Sequence, residues 1–196
     1  MWKKNIENLK NVKKSKLMMP LALILLAALT RLIPHPGNFT PIIAIGLYGA
    51  SKFKGSKLLT FSIPLAAMLM TDVFLNKIMM GAWTLTYPGI AFNYIALFGV
   101  IALGVMIFKN NKKMLKKTSA SIIGGNLLFF LISNFGVFMT FSLYPATPEG
   151  LVATYVAGLP FLLNQLAATI IWSVVLFGSD ALITKYVSKA EAAITA

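Results

Sequence analysis

Cysteine is absent from the 196 residues, which excludes disulfides, thiolate metal sites and thiol nucleophiles. Acidic residues are scarce: Glu7, Asp72, Glu149, Asp180 and Glu191 are all there are. A soluble surface carries about 25% charged residues, whereas both signs together reach only 12% here. Histidine occurs once, at His35, and without cysteine or a carboxylate cluster a protein metal site is not expected. There is no nucleophile elbow, Walker motif, HExxH or pair of close carboxylates. Neither an enzyme nor, for this chain alone, an ATP-driven pump is expected, and no cofactor is implied. Alternation of period two is also missing, which argues against a membrane β-barrel.

Apolar residues fill that space. They make up 58% of the chain, and the mean hydropathy is +0.78. About 20 residues cross a hydrocarbon core of about 30 Å, so this length suits six spans with short connections. Six apolar stretches are marked by their breaks: 17–33, 41–53, 57–75, 89–108, 118–141 and one within 151–184. The second is short for a span. Pro160 lacks a donor, so it is expected to divide a short helix at 150–158 from a longer one at 161–184. The run Leu17–Leu29 follows six lysines like a signal peptide, but no small-x-small cleavage site comes after it. The expected fold is therefore an all-α integral membrane protein, a bundle of about six transmembrane helices.

The lysines orient it. They cluster in residues 1–16, at Lys52, Lys54 and Lys57, in the KNNKKMLKK segment Lys109–Lys117, and at Lys185 and Lys189. Of the 18 basic residues, only Arg31 and Lys77 lie outside those four segments. This alternation is the positive-inside pattern for six spans with both termini cytoplasmic. The expected division is a basic cytoplasmic arm at 1–16, a transmembrane domain at 17–184 and a cytoplasmic tail at 185–196. Lysines spread over short connections beside apolar spans contact anionic headgroups of the lipid bilayer, and they weigh against a nucleic-acid partner despite a net charge of +13.

Given that orientation, the polar residues near the spans gather on the outer side. Arg31, His35 and Asn38 follow the first span, and Asp72 lies in the outer third of the third. Trp83, Tyr87 and Asn93 stand at the start of the fourth, Asn134 near the outer end of the fifth, and Tyr144 just beyond it. Ionisable groups at membrane depth are costly and usually face a bundle interior or a wet cavity. These nine residues are candidates for an outward-facing small-molecule site. Each also has a plainer role: Asp72 pairing with Arg31 between spans, His35 as a loop or headgroup contact, and the aromatics as interfacial anchors. Asp180, near the inner end, is explained by a reach toward Lys185. Asn126 and Asn134, eight apart, share a helix face suited to interhelical hydrogen bonds. Gly46 and Ala50 form a small-xxx-small step on the short second stretch, suited to close packing within the subunit or on a partner helix.

The segment TRLIPHPGNFTPIIAIGLYGA (Thr30–Ala50) resembles an uncharacterised bacterial family of membrane transport proteins. PLAAMLMTDVFL (Pro64–Leu75), LLFFLISNFGVF (Leu127–Phe138) and LYPATPEGLVATYVAGLPFLLNQL (Leu143–Leu166) fit the same pattern. That family is similar in turn to the substrate-binding (S) subunits of energy-coupling-factor vitamin transporters. The resemblance implies a six-helix bundle in the bacterial inner membrane that takes up a small molecule, a vitamin or cofactor precursor. It would work with a transmembrane scaffold subunit and ATPases. The alternative from another class is a non-transporting structural or accessory subunit of a larger membrane complex. An outward cavity lined by polar groups would favour transport, and a solid core the structural role.

Overall fold

A computed structural model describes residues 17–110 and 113–195, with side chains through Lys189. The basic arm at 1–16 and the middle of the lysine-rich loop, 111–112, lie outside the described residues. Six helices and no strand occur among the described residues. They are α1 (Leu17–Leu32), α2 (Ile42–Lys52), α3 (Lys57–Met80), α4 (Ile90–Ile107), α5 (Met114–Thr140) and α6 (Pro148–Thr195). Local chemistry sets several of the ends. The Ser56 side chain accepts from the Leu59 N–H at 3.3 Å and caps α3. Gly81, at φ +72°, ends α3 in the left-handed conformation that glycine adopts without strain. Pro148 opens α6, where its missing N–H would have been unpaired in any case.

Four helices, α3, α4, α5 and α6 as far as Lys189, are long and apolar enough to cross a membrane. The exterior agrees with that: Leu115, Met79 and Val174 are among many large apolar side chains left exposed. The polar groups are inside instead, with Asp72, Asn126, Gln165 and Asp180 all buried. By length and composition this is a multi-pass membrane protein.

The short second stretch differs from a span. At about 1.5 Å per residue α2 is only half the thickness of a bilayer core. Every residue from Ile42 to Ala50 is buried, and α2 packs against α3, α4, α5 and α6. A helix that is apolar all round belongs in a core, and α2 is the core of this bundle. Gly46 lets α4 approach, since a Cβ there would stand 3.0 Å from Leu97 and 3.3 Å from Ile101. Gly104 of α4 returns the fit against Ala50. The small-residue step at Gly46 and Ala50 is therefore spent inside the subunit, not on a partner helix.

Two further expectations are corrected. Pro160 does not divide the last stretch, because α6 runs through it unbroken and on through the expected tail to Thr195. A proline removes one backbone hydrogen bond, whereas breaking the helix in an apolar medium would strand several. Asp180 does not reach for Lys185. It pairs with Lys52 at the last turn of α2 and accepts from the Tyr48 hydroxyl at 3.0 Å. The C-terminus of α2 also favours the Lys52 cation.

Gly46→Leu should therefore destabilise the bundle by about 1–3 kcal/mol through overpacking against α4. Gly178→Leu on α6, where a Cβ meets nothing within 4 Å, serves as the control and should change little. Equal unfolding midpoints in detergent for both variants would contradict the enclosed position of α2.

Candidate outward-facing pocket

The end of the bundle that carries few lysines is built from the loops 33–41, 81–89 and 141–147 and the helix ends beside them. Arg31, in the final turn of α1, donates to Asp72 of α3 at 2.8 Å. The same guanidinium also donates to the Met68 carbonyl at 3.3 Å and to the Thr71 hydroxyl. Asp72 accepts from Tyr94 at 3.0 Å and, more distantly, from Tyr87 at 3.5 Å. Both charges are buried, and together they tie α1, α3, α4 and the 81–89 loop into one cluster. Burial first, and the Asp72 charge second, push the Tyr87 hydroxyl above its ordinary pKa, so it stays protonated as a donor. Asn76 steadies the same loop by donating to the Thr84 carbonyl at 2.7 Å.

Above this cluster lie two adjoining cavities of about 380 Å³ and about 110 Å³. Asn38, Tyr87, Asn93 and Phe129 line both. The smaller reaches Arg31, Gln165 and the first turn of α2, at Ile42 and Ile43. The larger opens past Asn134, Phe161 and Tyr144. Asn38 holds its loop in the left-handed region at φ +61°, which asparagine tolerates better than most side chains.

Of the nine residues singled out in the sequence, Arg31, Asn38, Tyr87, Asn93, Asn134 and Tyr144 line these cavities. Asp72 stands behind them, holding Arg31 and Tyr87. His35 and Trp83 are not brought in. His35 is exposed, its Nδ1 2.9 Å from the Pro36 carbonyl. Trp83 packs edge-on against Phe74, with Lys77 over its ring. Phe129, Ser133, Thr154, Gly158, Phe161 and Gln165 line the pocket without having been singled out for it. The spacing of Asn126, Phe129, Ser133 and Val137 at three and four along α5 was the readable sign of one inward face.

Asn126 lies deeper and makes the interhelical bonds expected of it. Its side-chain oxygen accepts from Gln165 at 3.1 Å and from Thr169 at 3.2 Å, both on α6. Asn134 instead turns its amide to the Phe130 carbonyl of its own helix. A third hollow of about 860 Å³ runs along α5 and α6 at the lysine-rich end. Its walls are mostly apolar, and Leu115, Ile123 and Val174 there are exposed on the outside of the bundle. Among the described residues, no three His, Cys, Asp or Glu side chains are grouped to hold a metal ion.

The chain belongs to DUF6580, a family of unknown function whose profile matches residues 11–192. No curated protein and no solved structure matches it.

Asp72→Asn would leave the Arg31 charge buried without its counter-ion, at a cost of about 3–5 kcal/mol. Arg31→Met combined with Asp72→Leu should recover much of that loss, because neither charge is then stranded. Chemical unfolding in detergent measures both, and an unchanged midpoint in Asp72→Asn would show that the pair does not hold the cluster.

Proposed function

We propose that this chain captures a small organic molecule at the outer face of the bacterial inner membrane and serves its uptake, as a substrate-binding subunit of the energy-coupling-factor type. The observation that carries the reading is the pair of adjoining cavities at the lysine-poor end, floored by α2 and the Arg31–Asp72 cluster. Under the positive-inside rule that end faces outward, away from Lys52, Lys54, Lys57, Lys109 and Lys113–Lys117. Small-molecule sites are concave and largely apolar, with a few placed polar groups, and the 300–1,000 Å³ range usual for them includes the larger cavity. Helices that stop partway across the membrane form many transporter sites, and the first turn of α2 lines the smaller cavity. The substrate's chemical family, a vitamin or cofactor precursor, follows from the resemblance of the Thr30–Ala50 and Leu143–Leu166 segments. The chain carries no nucleotide-binding motif, so a transmembrane scaffold subunit and ATPases would supply the energy.

The hollow along α5 and α6 favours a second reading, an accessory subunit that seats a neighbour there. That role gives no use to the amides of Asn93, Asn134 and Gln165 around the cavities at the other end.

Native mass spectrometry of the protein purified from its own membranes tests the reading. A small molecule should be retained, and Ala157→Phe, which fills the larger cavity from an exposed position on α6, should abolish retention. No retained molecule, together with no thermal stabilisation across a metabolite library, would overturn it.

A further inference from the structure

The lysine-rich end holds more cations than anions. Among the side chains described there, Asp180 is the one carboxylate, and Lys52 pairs with it. Lys117 is held by a neutral partner, donating to the backbone oxygen of Asn110 at 3.0 Å and to its side-chain oxygen at 2.7 Å. Lys54, in the turn between α2 and α3, has both of these cations as neighbours. Partial burial first, and the like charges of Lys117 and Lys52 second, push its ammonium below the ordinary lysine pKa. Lys57, Lys113 and Lys116 add further positive charge at the same end.

The hollow of about 860 Å³ lies beside this cluster, and Lys52 is part of its lining. Leu115, Ile123, Ile170 and Val174 supply an apolar wall, and all of them are exposed on the outside of the bundle. From Met114 to Ile123 the α5 wall rises about 14 Å at ~1.5 Å per residue, close to half of a ~30 Å hydrocarbon core. That is the depth of one leaflet. Gly178 keeps the α6 side open, since a Cβ there would meet no atom within 4 Å.

We propose that this hollow seats an anionic phospholipid of the cytoplasmic leaflet, with an acyl chain along α5 and α6 and its phosphodiester on Lys54 and Lys117. Basic pockets between helices on the cytoplasmic side suit such head groups, because the lysines there meet a negative charge that the chain itself does not supply. Two other occupants fit the charges worse. A zwitterionic lipid brings its own ammonium to a mouth already crowded with lysines. A partner's transmembrane helix carries Lys or Arg at its cytoplasmic end under the rule that orients this chain, so like charges would meet. A lipid seated here takes the place that the accessory-subunit reading gives to a neighbour. The outward cavities lie at the opposite end, so failure of this proposal leaves the capture reading standing.

The full chain, delipidated in a neutral detergent, is titrated with dioleoylphosphatidylglycerol, dioleoylphosphatidylcholine and glycerol 3-phosphate while its melting temperature is followed. Phosphatidylglycerol should stabilise at concentrations about tenfold or more below phosphatidylcholine, and glycerol phosphate, lacking the chains, should have no effect. Lys54→Gln and Lys117→Gln should each weaken the phosphatidylglycerol effect roughly fivefold and leave the phosphatidylcholine effect alone. Gly178→Phe, which fills the hollow, should abolish that effect without moving the lipid-free melting temperature; if this variant does not fold, the two lysine variants decide. A benzophenone side chain in place of Val174 should crosslink to lipid in native membranes. Equal protection by the two lipids, protection by neither, protection by glycerol phosphate, or unchanged behaviour of the lysine variants overturns the proposal. Crosslinking from position 174 to a polypeptide instead of lipid overturns it as well.

Discussion

Two carboxylates stand inside this bundle among the described residues, and each has a cation beside it. An isolated charge at membrane depth is prohibitively unfavourable, so the partner's position constrains every helix that carries one. Asp72 has Arg31, and Asp180 has Lys52. The first pair lies where α2 begins, beside the cavity that its first turn floors, and the second lies at its last turn. Between them α2 runs buried from Ile42 to Ala50, gripped by α4 through glycine contacts on both sides. A half-length helix has no place in lipid with its ends bare. Here its ends are met by charge pairs and its flanks by four other helices, so its shortness becomes tolerable.

That same shortness makes room. The space above the first turn of α2 is closed by side chains from α1, α3, α4, α5, α6 and the connecting loops. The Arg31–Asp72 cluster occupies the inner wall and fixes Tyr87 through Asp72 and Asn93. The other polar groups on the cavity walls are uncharged, Asn38, Asn93, Asn134 and Gln165 among them, and Phe129, Phe161, Tyr87 and Tyr144 add ring surface.

Much of this was legible in the residues. The apolar runs located α3, α4 and α5 closely, and the lysine spacing separated one end of the bundle from the other. Six of nine residues singled out for the site line its cavities, because polar side chains beside apolar spans had few other places to go. The misreadings share a cause. Pro160 and Asp180 were judged by their local neighbours, whereas an apolar medium and a helix distant in sequence decided them. His35 and Trp83 had the right residue types for a site, but their loops carry them outward. Thr154 lies on a continuous α6, and a break expected at Pro160 hid its place beside Gln165 in the pocket wall.

Outward capture requires the pocket to open on the outer side of the membrane. The absence of cysteine makes a direct measurement available: single-cysteine labelling with a membrane-impermeant maleimide in intact cells. Tyr144→Cys, at the mouth of the larger cavity, should label from outside, and Lys113→Cys, in the lysine-rich loop, only after permeabilisation. Labelling of Lys113→Cys in intact cells with protection of Tyr144→Cys would place the pocket on the cytoplasmic side and contradict outward capture.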